Sequence, residues 1–342
     1  MHFANLTRSF HDHGPAHDAR IWPLAVAVIA LAAFPHVGGR FYVDLVLTTM
    51  ILAIFALSLE LLVGHVGLVS FGHAAFFGVA AYATALLSPD AAAPSLAWLL
   101  PAALAITALV ALVIGALSLR TRGIYFIMVT LAFAQMAYFV FHDMKFAGGS
   151  DGRYLYVKPV LAIGGITLLD LGRPVTFYYF TLGCLCFMYA LLAIVGRSRL
   201  GHALAGIKAN EQRMRAAGFS TYPYKLAAFT LAGTLAAIAG FLHAVKDGFV
   251  SPEILAWHQS GAVLLMLILG GIGTLRGAVL GAFVFVLLKE LFQSEALFGV
   301  FAKHWQLPLG LAIIGCVALM PHGVIGLPAQ LRRMRAPVLH AG

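Results

Sequence analysis

Long apolar runs separated by short polar stretches extend over most of the chain. They lie at Ile21–Val37, Tyr42–Val63, Ala74–Ser88, Ser95–Leu119, Gly123–His142, Val175–Val195, Leu226–Val245, Gln259–Leu275, Gly277–Phe292 and Trp305–Met320. Because the runs are continuous rather than alternating, they are typical of membrane helices and not of the strands of a membrane barrel. The pattern predicts an all-α polytopic membrane protein with about ten transmembrane helices.

Two glycine-rich interruptions lack the charge of ordinary loops. The first, Gly64–His73, reads GHVGLVSFGH, and the second, Gly270–Gly281, reads GGIGTLRGAVLG. Glycine at this density allows close helix contact, or unwound backbone that faces protein or water rather than lipid. Interruptions in corresponding places of two halves can mark an internal duplication around a transport path.

One long polar segment, Gly196–Lys225, stands out and is called the basic loop below. Within it, Ala203–Ala217 consists mostly of good helix formers, and Gly218 is a suitable end. Apolar and charged positions fall on different faces of this helix, which predicts an amphipathic helix on the membrane surface. The loop contains one acidic residue, Glu211, and six basic residues, Arg197, Arg199, Lys208, Arg213, Arg215 and Lys225.

Composition agrees with a membrane protein of one domain. Apolar residues make up 61% of the chain and charged residues only 10%, too few to cover a soluble protein of this length. We expect a cytoplasmic tail at residues 1–20, a transmembrane domain at 21–327 that includes the loop 196–225, and a basic cytoplasmic tail at 328–342.

The net charge of +9 comes from residues in short loops and at the chain ends. That distribution follows the positive-inside rule, so it indicates a bilayer and no nucleic acid. Placing the basic loop inside the cell puts both termini inside and Asp143–Pro174 outside. The first tail contains four histidines, at positions 2, 11, 13 and 17, which could bind a metal. Gly14 and Pro15 would break a helix that aligned them and favour a disordered tail, so we predict no metal site.

Polar side chains within or beside the apolar runs are candidates for the lining of a transport path. Glu60 either lines the path, where it would meet a substrate ammonium, or lies solvated near the cytoplasmic interface. The other candidates also have a structural alternative, hydrogen bonding between helices. They are Ser70, His73, Thr130 and Gln135.

Four stretches together resemble a known family. They are Leu68–Tyr82 (LVSFGHAAFFGVAAY), Leu119–Tyr138 followed by Gly148–Gly152, Gly201–Ala239, and Ser251–Leu291 with its LILGGIGTLRGAVLGA segment. In this order the chain, from Tyr42 to Leu327, is similar to the membrane-spanning permease subunit of ATP-binding-cassette importers of the branched-chain amino acid type. The resemblance implies the bacterial inner membrane, two ATPase subunits, a second and related permease, and a periplasmic substrate-binding protein.

The resemblance also assigns a role to the basic loop, which in such families docks into the ATPase subunit. On this chain it implies polar docking contacts by Glu211, Arg213 and Arg215, and apolar ones by Ile207 and Met214. The sequence contains no G-x-x-x-x-G-K-[ST] phosphate loop. We therefore expect a non-catalytic subunit that binds no cofactor, with ATP hydrolysed by the partner.

Substrate and transport class have alternatives. The resemblance implies branched-chain amino acids or a related small polar substrate. Glu60 and His65 depart from the expected family pattern, which leaves urea, short amides and aromatic acids, the substrates of other relatives of this group, as the alternative. A secondary transporter driven by protons or sodium would need intramembrane acid and base groups, and Glu60 alone has that character. The helical, basic insert favours the motor-driven importer.

Overall fold

The computed structural model describes residues 21–163, 166–320 and 323–327. Its helices are α1 Ile21–Val37, α2 Arg40–Glu60, α3 His73–Leu87, α4 Leu96–Ser118, α5 Ile124–Asp143, α6 Pro174–Arg197, α7 Arg199–Ala209, α8 Glu211–Ala216, α9 Thr221–Asp247, α10 Trp257–Gly270, α11 Leu275–Gln293, α12 Glu295–Phe298 and α13 Gln306–Leu319. The strands are β1 Arg153–Tyr154, β2 Val160–Ile163, β3 Ile166–Asp170 and β4 Phe249–Val250. Contacts divide the chain into two units, Met1–Val43 and Asp44–Gly342, and the second contains everything discussed below.

Fewer helices than expected are long enough to cross a bilayer. Within the described residues, six helices have the length and composition of a span, or seven if the bent pair α10–α11 counts as one span. The predicted number of about ten is therefore not confirmed. The difference from ten has three sources in the described residues: Leu24–Val37 and α3 are shorter than a span, and α10 and α11 form a bent pair that counts as one span at most.

The core is built by α2, α3 and α9, which are mostly buried, with α9 packed against both α3 and α4. Small residues make these contacts close. A Cβ at Gly240 of α9 would collide with the carbonyl oxygen of Phe77 on α3, and one at Gly233 would lie 2.6 Å from the Cβ of Ala111 on α4. Membrane helices associate through such close backbone approach, since lipid supplies no hydrophobic drive between them.

Other helices present large apolar side chains to the outside. On α5 these include Tyr125, Met128, Met136 and Phe139, and α6 and α13 have similar faces. Exposed apolar surface of this extent is unfavourable in water and favourable in hydrocarbon. Together with the long apolar helices, it identifies a multi-pass membrane protein.

Four short strands lie in the segments between helices, so the predicted all-α architecture applies to the membrane helices and not to every loop. Strand β2 pairs with β3 as an antiparallel hairpin. Strand β1 pairs with β4, which joins the segment after α5 to the segment after α9.

Both predicted glycine interruptions are real breaks. Helix α2 continues into a π-helical turn, Leu61–Val66, which ends at Gly67 with φ +77°. Helices α10 and α11 meet at 114° across a turn in which Gly271 and Gly273 have φ of +111° and +93°. These backbone angles favour glycine over other residues. The second break is shorter than predicted, because α11 begins at Leu275 and its first glycines pack against α10.

Candidate functional site

The basic loop folds into two helices instead of the single predicted helix Ala203–Ala217. The break falls at Asn210, whose extended backbone separates α7 from α8 and whose side chain accepts a hydrogen bond from the Arg213 amide at 2.9 Å. Ser198 caps α7 in the same way, through the Gly201 amide. Such N-caps pair amides that a helix start leaves without partners. Gly218 ends the segment with φ +86°, as predicted.

Glu211 lies at the centre of a polar cluster that joins α8 to the start of α9. Its Oε1 atom accepts hydrogen bonds from Arg215 Nη2 at 2.6 Å, from Lys225 Nζ at 2.8 Å and from Thr221 Oγ1 at 2.8 Å. Partial burial opposes ionisation of the carboxylate, but the bonds from Lys225, Thr221 and Arg215 outweigh it and lower the pKa of Glu211 to about 2. The two basic groups and Thr221 thus fasten the loop to the membrane domain.

The five predicted docking residues are not equivalent in the structure. Ile207 is only 5% exposed and faces the interior of the chain. Met214 is half-buried, with its sulfur against Gly206 of α7. Glu211 and Arg215 form the predicted i, i+4 pair, whereas Arg213 is exposed and pairs with no side chain in the described part of the molecule. Of the five, Arg213 is therefore the one presented fully outward, and the docking role of all five stays a prediction.

The basic loop contacts the first glycine break directly, and Glu60 connects that break to the second. Lys208 Nζ donates a hydrogen bond to the Gly64 carbonyl at 2.6 Å, and the stem of the same side chain lies over Gly67. Nearby, Glu60 Oε1 accepts a hydrogen bond from the Gly273 amide at 2.7 Å, in the turn between α10 and α11. We call Glu60, Gly64, Lys208 and Gly273 the junction.

Glu60 is completely buried, so the expectation that it is solvated near the interface is wrong. Its carboxylate accepts a hydrogen bond from the Gly273 amide of the second break, so it does not face a transport path in this conformation. Gln135, on α5, has a buried Oε1 atom without a hydrogen-bond partner among the described residues. Glu60 Oε2 and His73 Nδ1 are likewise buried without a partner among these residues, so the path role of Gln135 stays a prediction.

Three other predicted path residues stabilise the segment between the first break and α3. His73 Nε2 lies 2.8 Å from Ser58 Oγ of α2, and Ser70 Oγ accepts from the Gly72 amide. Thr130 Oγ1 of α5 accepts from the Phe71 amide at 3.3 Å. The contacts of His73 and Thr130 correspond to the structural alternative, hydrogen bonding between membrane segments, whereas the bond of Ser70 is local to the turn.

Sequence reasoning did not identify Gly273 or Ser260 as site residues, and it did not predict that Lys208 belongs to the junction. Ser260 of α10 accepts a hydrogen bond from the Ala74 amide at 2.8 Å, 186 positions away, and Gly273 lies 213 positions from Glu60. No local pattern could have paired them; the only available signal was the glycine density of the two breaks. The described residues contain no cluster of three or more potential metal ligands, and the N-terminal histidines lie outside them.

Comparisons with known proteins agree on one family. A model described as "Branched-chain amino acid transport system / permease component" matches residues 41–319. The high-affinity branched-chain amino acid transport system permease proteins LivM of Salmonella typhimurium and Escherichia coli are 28% and 29% identical, over 91% of this chain and 76% of theirs. The autoinducer 2 import system permease protein LsrC of Yersinia enterocolitica is 28% identical over 34% of each chain. No solved structure matches.

Proposed function

The chain belongs to the family of permease components of branched-chain amino acid transport systems, and from this premise we propose that it forms part of the translocation path of an ATP-driven importer. The proposed substrates are branched-chain amino acids or a related small polar solute. The LivM relatives support the amino acid reading, because the match covers nearly the whole chain.

The observation that carries the importer proposal is the basic loop. Its two short helices are fastened to the membrane domain by the Glu211 cluster and by Lys208, while Arg213 remains exposed. A rigid, outward-facing basic element suits a soluble partner that pushes on it. Channels and secondary transporters need no such element.

The proposed assembly places the basic loop and both termini in the cytoplasm of a bacterial cell, with the permease in the inner membrane. Two ATPase subunits would bind the loop and hydrolyse ATP. A second, related permease would complete the path, and a periplasmic binding protein would deliver the substrate. The chain itself would bind no cofactor.

The test is uptake by cells that carry this chain with its neighbouring transport genes. Labelled leucine, urea and benzoate are offered with ATP either intact or depleted, while the proton gradient is maintained. We expect leucine uptake that stops on ATP depletion. Uptake of urea or benzoate instead would keep the importer and change the substrate.

Uptake that survives ATP depletion and collapses with the proton gradient would refute the importer and favour an ion-coupled secondary transporter. In that event the buried carboxylate of Glu60 would become the first residue to test. As a matched control, cells with the chain deleted show the background uptake of each solute.

A further inference from the structure

The junction connects the basic loop to both glycine breaks at once. Lys208 of α7 holds the carbonyl of Gly64 at the end of α2, and Glu60, one turn before Gly64, holds the amide of Gly273 between α10 and α11. We propose that Glu60 and Lys208 are positioning residues that form a mechanical linkage, through which a displacement of α7 moves both breaks together. This inference rests on the proposed function, because it takes the force on α7 to come from the ATPase.

The position of Glu60 is fixed by packing as well as by its hydrogen bond. The carboxylate folds back over Gly64, where a Cβ would collide with Oε1. The side chain is fully buried, and its second oxygen has no partner among the described residues. A buried carboxylate that loses its amide donor pays a large desolvation cost, so the bond to Gly273 resists separation.

The two connected segments are the ones best suited to move. The turn that contains Gly273 has two residues with positive φ and joins helices bent at 114°. The end of α2 is a π-helical turn, a form that occurs frequently at functional sites. Domain motions usually bend at a few residues that lie in loops or at the ends of helices and strands.

Helix α7 is able to transmit a push because it is anchored on its inner face. Leu204 and Ile207 are buried against the chain, while Lys208 reaches past Gly67 to its acceptor. The stem of Lys208 and its ammonium therefore contact the same π-helical end at two points. A shift of α7 cannot leave Gly64 behind without breaking the 2.6 Å bond.

The test uses the complete transporter, with its ATPases and binding protein, in proteoliposomes. We measure ATP hydrolysed per substrate imported for the wild type, Glu60→Ala, Glu60→Gln and Lys208→Met. Glutamine keeps a carbonyl oxygen for the Gly273 amide and should leave the ratio near that of the wild type. Alanine removes the acceptor of the Gly273 amide and should raise the ratio by up to roughly tenfold, the factor that corresponds to the loss of one hydrogen bond.

Lys208→Met tests the linkage even if Glu60→Ala fails to fold, because Lys208 is exposed and its replacement leaves the core intact. It should also raise the ratio several-fold, by roughly the effect of one charged donor. Glu253→Ala, which removes an exposed carboxylate outside the junction, is the matched control and should match the wild type.

A second readout separates linkage from simple destabilisation. Spin labels at Ala209 of α7 and at Ile272 in the turn, both exposed positions, report the distance between the two elements through the ATP cycle. In the wild type and in Glu60→Gln this distance should stay constant through the cycle. In Glu60→Ala and Lys208→Met it should change with ATP.

The linkage is overturned, and the importer left intact, if Lys208→Met shows the wild-type ratio of ATP to substrate and a constant label distance. The same result in Glu60→Ala, if that variant assembles, would have the same meaning. A wild-type complex whose uptake does not depend on ATP would instead overturn the proposed function. The two failures are thus distinguished within one set of samples.

Discussion

Replacing Glu211 with glutamine should loosen the basic loop without unfolding the membrane domain. The carboxylate accepts three hydrogen bonds on one oxygen, two of them from cations. Glutamine retains a carbonyl acceptor but loses the charge. Lys225, which is only 6% exposed, would then lose its counter-charge, and a buried ammonium without a partner is unfavourable.

The magnitude follows from the pKa of Glu211, which falls from the ordinary 4.5 to about 2. That difference corresponds to at most about 3 kcal/mol. Because a quarter of the side chain is exposed, solvent screening reduces the expected contribution to about 1–2 kcal/mol. Such a loss increases the population of the locally opened state by about 5–30-fold.

Hydrogen-exchange mass spectrometry of the purified chain in detergent measures this opening directly. Amides in peptides covering residues 210–220 should exchange about 5–30-fold faster in Glu211→Gln than in the wild type, while peptides from α3 and from the part of α9 after Lys225 stay unchanged. Glu253→Gln, a change in an exposed carboxylate outside the cluster, is the control. A double-mutant cycle with Lys225→Met should show strong coupling between the two positions.

The pH dependence has a defined sign. The pKa of Glu211 is lower in the folded state, so its stabilising contribution is fully present above pH 4.5 and is lost as the pH falls toward 2. The difference in exchange between the wild type and Glu211→Gln should therefore disappear across that window. Equal exchange of the two proteins at neutral pH would refute the reasoning.

Three further predictions concern docking and packing. Arg213→Glu should abolish stimulation of the partner ATPase while leaving thermal stability unchanged; normal stimulation would remove Arg213 from the docking surface. Gly240→Ala should lower stability by about 1–3 kcal/mol in thermal unfolding, since its Cβ would collide with a carbonyl oxygen of α3, whereas Gly183→Ala has free space and should be neutral. Ser58→Ala should cost about 1–3 kcal/mol, because it leaves the buried His73 Nε2 without its partner; an unchanged midpoint would contradict the structural role of that pair.

The sequence predicted those features that depend on nearby residues. The two breaks follow from glycine density, and the Glu211–Arg215 pair follows from helical spacing. Hydropathy, however, counts apolar runs without showing which of them cross a bilayer, so the short helix α3 was counted as a span. The resemblance implied a docking contact by Ile207, which is buried in this structure, because a hydrophobic face is the same in sequence whether it meets a partner or the chain itself.

The site residues were harder to predict for a different reason. Glu60 was recognised as unusual, but its partner is a backbone amide, which any residue supplies. The type of residue at position 273 therefore gives no sign of the contact. Only the folded arrangement of α2, α10 and α11 shows it.

The bond between Glu60 and Gly273 also orders events during biogenesis. The two residues are separated by 213 positions, so the acceptor leaves the ribosome long before its donor exists. At about 5–20 residues per second, Glu60 waits roughly 10–40 s for Gly273 to be synthesised. The basic loop is complete at Lys225, 48 positions before Gly273, so for roughly the last 2–10 s of that interval the loop exists while the turn between α10 and α11 does not. The proposed ATPase partner, bound at that stage, would act through Lys208 on the first break alone, and coupling to the turn between α10 and α11 becomes possible only once the last third of the chain has been inserted.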